Sequence, residues 1–508
     1  MTANEDAIDA DGASPTDKGL GLAGVGAYVP RDRLPAAAIE DAWQSSGPSG
    51  IERTAVPAGD EDVLTMAYEA AVLALEAASC AADSIEALSL ATTTPPHDEE
   101  SGAARLAGFL GIDGETAQFG ASTAAGTNAL RSGLEKRSGP VLVVASDAPQ
   151  GEPNGDVGIN TGAGAAAIVL EPGGTGTVTE TASSVVSYPG TRFRPRGEGR
   201  TRGLDNTAYD RSAYLETIGA VVDRLSTELE TLDAAAIQAP DGSLPYRLAR
   251  HHDLSAEQIR AGTVVHDVGD AGAASSLLGL AAALTAGHES VLLIGYGSGS
   301  EASGAVLECG AVPVRARLDG IETITYSDAL RQRGVLTPGE PHGGGAYVSL
   351  PTWRRSMPQR HRLVVGRCRS CGALDLRPDG ACRSCHELTE YDRVGLPGTG
   401  TVAASTVIQS GGAPPEFTEQ QARSGSFVSA IVALDGLDRT PGKPDESDTD
   451  PDETERGADS LSVPMQVLAA DEASIEVGDR VETTIRRIYT QEAVPRYGRK
   501  AILERDRR

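Results

Sequence analysis

Apolar and polar positions along the 508-residue chain switch between two periods. A glycine-rich apolar run at 20–29 reads as a strand. At 63–79, Met66, Ala70, Leu73 and Ala77 fall on one face of a helix. A strand is predicted at 85–92 and a helix at 102–110. Then comes Phe119-Gly-Ala-Ser-Thr-Ala-Ala-Gly-Thr-Asn-Ala-Leu130, where small residues crowd a strand-to-helix corner. Such a corner aims backbone N–H groups and the positive end of a helix dipole at whatever sits on it. The helix should run to about 135. The stretch 141–146 is apolar throughout, as in a strand buried on both faces of a parallel sheet. A further strand, 164–170, is entered through Gly162-Ala-Gly164.

The second half repeats this plan. A long helix is predicted at 209–232, a short strand at 235–239 and a helical turn at 242–250. The stretch 263–267 leads to a second small-residue corner, Gly269-Asp-Ala-Gly-Ala-Ala-Ser-Ser276. A helix follows to about 286, then apolar strands at 291–295 and 305–308. Corner, helix and apolar strand recur at nearly equal spacing, the mark of a duplicated α/β unit.

The pattern changes at 351–366, which is basic and turn-rich and reads as a linker. Cys368-Arg-Ser-Cys371 and Cys382-Arg-Ser-Cys385 follow. Strand-like segments at 398–407, 426–434, 463–469 and 481–489 suit a small antiparallel barrel. The Asp-, Glu-, Pro- and Gly-rich run 435–460 cannot build a core and reads as a disordered acidic insertion. Residues 1–17 read as a disordered acidic tail.

Composition narrows the function classes. Asp and Glu total 72 against 44 Lys and Arg, a net charge of −28, and aromatics are only 4%. Such a surface repels nucleic acid and lacks the aromatic platform that single-strand binders use. No apolar run is long enough to span a bilayer, so no membrane role is expected. The polar N-terminus resembles neither a secretory signal nor a transit peptide, which points to the cytoplasm.

The paired Cys-x-x-Cys knuckles put four thiolates on two tight turns, the donor set of one structural zinc. Cys80 and Cys309 stand alone and read as core fillers. At the first corner the central residues are Ser122 and Thr123, with no cysteine or histidine near them in sequence. His97, beside Asp98 and Glu99, reads as a solvated loop residue. His266 reads as a strand-end surface histidine, and His251-His252 as a helix cap pair.

The two-fold α/β repeat resembles the thiolase superfamily, and in detail the 3-hydroxy-3-methylglutaryl-CoA synthase family of archaeal type. The stretches that carry the likeness are Ala124-Ala-Gly-Thr127, Ile237-Gln-Ala-Pro-Asp-Gly-Ser-Leu-Pro245, Ser275-Ser-Leu-Leu-Gly-Leu280 and Tyr296-Gly-Ser-Gly-Ser300. The tail resembles the zinc-ribbon plus OB-fold proteins that accompany acyl-CoA enzymes, through the knuckles, Gly398-Thr-Gly-Thr-Val402 and Ile475-Glu-Val-Gly-Asp-Arg-Val481. The resemblance implies two thiolase-like halves at 18–171 and 172–350, the linker at 351–366, a zinc ribbon at 367–388 and an OB-type barrel at 389–508. The many acidic residues, with few lysines, also resemble proteins of salt-loving archaea.

What the family's chemistry implies has to be carried over position by position. The place of its nucleophilic cysteine holds Thr123, and that of its general-base histidine holds Gln238. The acid/base glutamate corresponds best to Thr93, and an active-site asparagine to Asp270. A hydroxyl titrates far above a thiol and needs a base beside it, and an amide cannot accept a proton. Losing a positioned acid or base alone costs about 10²–10⁴ in rate. Ser122, His97, Asp270 and His266 are the residues the fold could recruit instead. Arg192, Arg194, Arg196, Arg200 and Arg202 form a basic cluster suited to the phosphates of coenzyme A. The expectation is an acyl-CoA-binding, catalytically reduced scaffold that dimerises through its thiolase-like part and docks a thiolase through its ribbon and barrel. The alternative is an acyl-CoA condensing or acyltransferase enzyme using Ser122 or Thr123.

Overall fold

The structure is a computed structural model and describes residues 19–135, 139–336, 349–409, 411–414, 417–437, 461–468 and 474–506. The acidic tail 1–17 and most of the acidic insertion lie outside the described residues. At the insertion's start Asp435 is held by Arg480 at 2.6 Å and by the Thr399 hydroxyl at 2.6 Å.

Two sheets form the α/β part. The first orders its strands Val314–Arg317, Leu20–Tyr28, Gly164–Pro172, Val141–Asp147, Ala87–Ala91 and Glu115–Phe119. Ala87–Ala91 runs parallel to both Glu115–Phe119 and Val141–Asp147, while Gly164–Pro172 is antiparallel to its neighbours. The second orders Thr177–Tyr188, Gly299–Glu308, Ser290–Gly297 and Ala234–Ile237. The duplicated helices Ala125–Leu134 and Ser275–Thr285 share one buried cluster with residues of both sheets, among them Ile168 and Leu293. Because both helices are so rich in Ala and Gly, their backbones approach closely. A Cβ added at Gly126 would lie 2.2 Å from the Ala273 carbonyl oxygen, so only glycine fits where the two corners meet.

Several elements differ from their sequence pattern. The helix expected at 209–232 spans Thr207–Val222 and gives way to a turn whose Ser226 and Thr227 N–H groups donate to Glu180 at 2.6 and 3.1 Å. The stretch 263–267 contains the short helix Val265–Val268 rather than an extended lead-in. The presumed linker is largely the helix Leu350–Arg362, with Pro351 in its first turn, where a missing N–H costs nothing. Its Trp353 is buried between the guanidinium groups of Arg360 and Arg496, 4.6 and 4.9 Å from the ring centroid.

Beyond this helix the knuckles sit on a three-stranded sheet, Leu374–Asp375, Val364–Cys368 and Tyr391–Gly395. Strands Thr399–Ile408, Phe427–Leu434, Leu461–Leu468, Val494–Leu503 and Arg480–Gln491 close a barrel around Val402, Val432, Val467, Val481 and Leu503.

The barrel is anchored to the first sheet by buried charges. Asp60, Glu61 and Asp62 precede the helix Val63–Ala78, and Glu69 lies within it. Arg486 pairs with Glu69 at 2.9 Å and Glu61 at 3.2 Å, Lys500 with Asp60 at 2.8 Å, and the Tyr497 hydroxyl donates to Asp62 at 2.6 Å. Thr484 donates to Glu69 at 2.6 Å. Arg486 is 4% exposed, Glu69 1% and Lys500 1%. Burial works against the Arg486 charge, but Tyr28, Glu61 and Glu69 outweigh it and the net shift of its pKa is upward.

Removing Arg486 takes from buried Glu61 its paired cation, while Glu69 keeps Arg317 at 3.3 Å, and stranding a buried charge costs about 3–5 kcal/mol. Arg486→Met should therefore lower the thermal unfolding midpoint of the full chain markedly. The triple change Arg486→Met, Glu61→Gln, Glu69→Gln should recover most of that loss. An unchanged midpoint in the single variant would contradict the assigned anchoring role.

Candidate active site and metal centre

The first corner is built tightly. Ala121 adopts φ +69°, an unusual conformation for a residue with a Cβ, just before Ser122. The Thr123 hydroxyl donates to the Tyr296 carbonyl at 2.5 Å and is 4% exposed. Ser122 donates to the Glu301 carboxylate, on the strand that follows the Tyr296-Gly-Ser-Gly-Ser300 loop. Gln238 directly follows the strand Ala234–Ile237, and its backbone N–H continues the sheet by donating to Ile294 at 2.8 Å. Its amide nitrogen donates to Asp270 at 3.2 Å. Asp270, at the second corner, is 1% exposed, pairs with Arg192, and accepts from the Gly272 N–H at 2.9 Å.

Thr123, Gln238 and Asp270 thus meet on the wall of one 320 Å³ cavity, together with Arg192, Tyr296 and Ser298. Thr93 does not join them. Its N–H and hydroxyl both donate to Asp147, at 3.0 and 2.7 Å. It lines instead a larger cleft of 980 Å³ that also contains Ser122, Thr123, Arg192, Arg194 and Arg196. The two spaces share Thr123, Arg192 and Ser298.

Four of the five clustered arginines have partners within the protein. Arg192 is bound to Asp270, Arg194 to the Thr93 carbonyl at 2.5 Å, Arg200 to Glu152, and Arg202 to Glu198 at 3.3 Å. Arg196 is exposed on the wall of the larger cleft. Two arginines that no sequence cluster marks, Arg211 and Arg247, line the smaller cavity. Asp147 was equally hidden, because its strand reads as purely apolar up to Ser146. Its position ahead of the Thr92-Thr93-Thr94 run in space is visible only in the folded chain.

Among the described residues no histidine hydrogen-bonds to Ser122 or Thr123. His97 sits between Glu100 at 2.6 Å and the Ala493 carbonyl at 2.9 Å, and these, the carbonyl first, raise its pKa. His266 bonds the Tyr246 hydroxyl at 3.0 Å and the Gly50 carbonyl at 2.6 Å, away from both spaces. His252 lies 3.9 Å from Asp223. Asp210 lines the smaller cavity, and burial, followed by Asp205 and Asp156, raises its carboxyl. Cys309 is buried as expected, its thiol pushed up to about 12 by burial and then by Glu308. Cys80 is only partly buried, packs against the cluster of Leu75, Ile85 and Leu88 at the core's margin, and contacts Ser84 at 3.3 Å.

The sulfurs of Cys368, Cys371, Cys382 and Cys385 all lie within 4.8 Å of one another. Cys368 and Cys385 are 3.9 Å apart, and Cys371 and Cys382 3.7 Å. A tetrahedron with zinc–sulfur bonds of about 2.3 Å has edges of about 3.8 Å, so the four thiols match a zinc ion's donor shell.

No family model matches the chain. It is, however, 31% identical to a hydroxymethylglutaryl-CoA synthase of Methanopyrus kandleri over 304 residues, 55% of this chain and 85% of that protein. The corresponding synthase of Archaeoglobus fulgidus is 28% identical over 302 residues, covering 55% of this chain and 86% of the relative. Among solved structures, an HMG-CoA synthase complexed with CoA superposes with a TM-score of 0.55 at 17% identity, over 65% of this chain and 94% of that one. A 3-oxoacyl-(acyl carrier protein) synthase III of Pseudomonas aeruginosa gives 0.52 at 21% identity, over 58% and 99%. The duplicated α/β core is therefore the thiolase-like fold, and the chain belongs to the hydroxymethylglutaryl-CoA synthase family.

Proposed function

We propose that this chain binds an acyl-CoA thioester at the Thr123 corner without forming a carbon–carbon bond, and serves as a scaffold or acyl-CoA-passing partner of a thiolase or synthase. The observation that carries this is that, among the described residues, the Thr123 hydroxyl has no hydrogen bond to a histidine or a carboxylate. The Thr123 hydroxyl is spent as a donor to the Tyr296 carbonyl, and on the same cavity wall Gln238 is bound to Asp270, which is paired with Arg192. None of these side chains is hydrogen-bonded to the Thr123 hydroxyl, so this reading gives its proton no acceptor for nucleophilic attack. Solved structures of the fold in complex with CoA and with 3-hydroxy-3-methylglutaryl coenzyme A support the ligand class. Arg196, Arg211 and Arg247 are the candidates for its phosphates.

One observation favours a second reading. Ser122 donates to Glu301, and a serine beside a carboxylate could accept an acyl group. The larger cleft reaches Ser122, so this would make the chain an acyltransferase acting from the neighbouring position.

The edge strand Glu115–Phe119 has a neighbour on one side only among the described residues, which supports a homodimer formed across that edge. The ribbon, holding zinc, and the barrel, read as an OB-fold, are the proposed docking site for a thiolase. The cytoplasm is the proposed compartment. No helix among the described residues is long and apolar enough to cross a membrane.

Full-length protein given acetyl-CoA and acetoacetyl-CoA at high salt should release no thiol above background, while calorimetry detects binding of CoA. Arg211→Ala and Arg247→Ala should each weaken that binding by about 1–3 kcal/mol if they hold phosphate. Turnover abolished by Ser122→Ala would replace the scaffold reading with the acyltransferase one. Elemental analysis should find one zinc per chain, lowered in Cys371→Ser, with loss of the ribbon's protection from proteolysis. Stoichiometric iron, or no metal in freshly purified protein, would overturn the zinc assignment.

A further inference from the structure

At the seam between the α/β core and the barrel lies a third space, a cavity of 370 Å³. Arg194 and Arg333 line it from the core, and Arg423 and Arg487 from the barrel, on the helix Thr418–Ser424 and the strand Arg480–Gln491. Arg333 donates to the Thr161 carbonyl at 3.3 Å and has no carboxylate partner among the described residues. Arg423 and Arg487 share Glu419, at 2.7 and 3.8 Å, and beyond it Arg487 reaches only Asp62, at 3.9 Å. The Arg423 guanidinium lies over the backbone that follows Arg333, since a Cβ on Gly334 would stand 3.0 Å from its Nη2. The acids on the same wall are committed elsewhere. Glu61 pairs with Arg486, Glu198 pairs with Arg202, and Asp62 accepts from the Tyr497 hydroxyl and from the Leu64 and Thr65 N–H groups. Asp98 is exposed. Positive charge is therefore left over here. Burial lowers the Arg333 pKa, and burial and then Arg487 lower that of Arg423. The side chains of Arg423 and Arg487 are still 21% and 19% exposed, so their donors are within reach of a ligand.

We infer that this seam cavity binds the phosphate group of a small molecule, held by Arg333 of the core together with Arg423 and Arg487 of the barrel. A guanidinium fork matches the oxygens of a phosphate, and a dianion supplies the charge that three arginines beside one shared glutamate lack. A neutral ligand would leave that excess standing. A phosphate spanning the seam also adds a tie between core and barrel, beside the buried ion pairs that already join them. The cavity shares His97, Asp98, Arg194 and Glu198 with the larger cleft. The phosphate therefore belongs either to a free compound or to a coenzyme A extending from that cleft.

Calorimetric titration of the full chain with inorganic phosphate, at an ionic strength held constant with chloride, tests this site. Phosphate should bind, and should raise the thermal unfolding midpoint because it favours the folded seam. Arg333→Gln and Arg423→Gln should each weaken phosphate binding at least about tenfold, the worth of one charge-assisted hydrogen bond. Arg355→Gln, exposed on the helix Leu350–Arg362, should change it less than about twofold. No binding above the chloride background, or equal weakening by all three changes, would overturn the inference. Repeating the titration with saturating CoA and with dephospho-CoA, which lacks the 3′-phosphate, separates the two sources. A site closed by CoA alone takes the coenzyme's own phosphate, one left open by both takes a separate phosphate compound, and either result supports the site. Failure of CoA to bind would overturn the acyl-CoA reading and leave the seam site standing. The titration of the unaltered protein decides the matter even where a variant does not fold.

Discussion

The site depends on one carboxylate that never meets solvent. Asp147 ends a strand of the first sheet, is 0% exposed, and among the described residues has no cation hydrogen-bonded to it. It is held instead by hydroxyls and N–H groups from both halves of the duplicated core. Thr92 and Thr93 come from the first half, and the Ala273 N–H, at 2.9 Å, comes from the second corner. A buried carboxylate is tolerable only when its lone pairs are filled in this way. Filling them fixes the neighbours: Thr93 faces Asp147 rather than the smaller cavity, and its carbonyl anchors Arg194. Gly272 passes so close that a Cβ there would fall 2.3 Å from Asp147 Oδ2, at φ +54°, where glycine is in any case favoured.

The barrel's attachment follows a similar logic with ions in place of hydroxyls. Asp60 and Glu61 are paired with Lys500 and Arg486, on the barrel's last two strands, and Glu69 is shared between Arg486 and Arg317 of the first sheet at 3.3 Å. The barrel is therefore part of the folded core's electrostatics, not a module swinging on a tether. Any passing of a ligand between the two parts has to occur over a fixed geometry.

The duplicated core was legible because its strands are uniformly apolar and its corners uniformly small, so period and composition agreed. The strand Thr177–Tyr188 was not, since it lies at a sheet edge and alternates mostly among threonine, serine and glutamate. Val494–Leu503 was missed for the opposite reason. Its Arg496 and Lys500 read as solvent-facing but are buried against Trp353 and Asp60, so hydropathy pointed the wrong way. The cysteine knuckles were readable because ligand spacing is a local property. Glu301 and Asp147 were not, because each acts on a residue far along the chain.

The positions where the family resemblance implies reactive side chains are mutually adjusted in this protein. A lone buried aspartate at 270 would be costly, yet Arg192 supplies its counter-charge and the Gln238 amide one of its donors. Gln238 in turn could not face Asp270 with its carbonyl, so its acceptor is directed elsewhere and stays unpaired. Independent drift at these positions would leave such groups mismatched with one another. Here the unpartnered atoms belong to side chains of the cavity lining, while the contacts between the residues are satisfied. That division is what the proposed binding pocket requires, with the protein's own contacts satisfied around it.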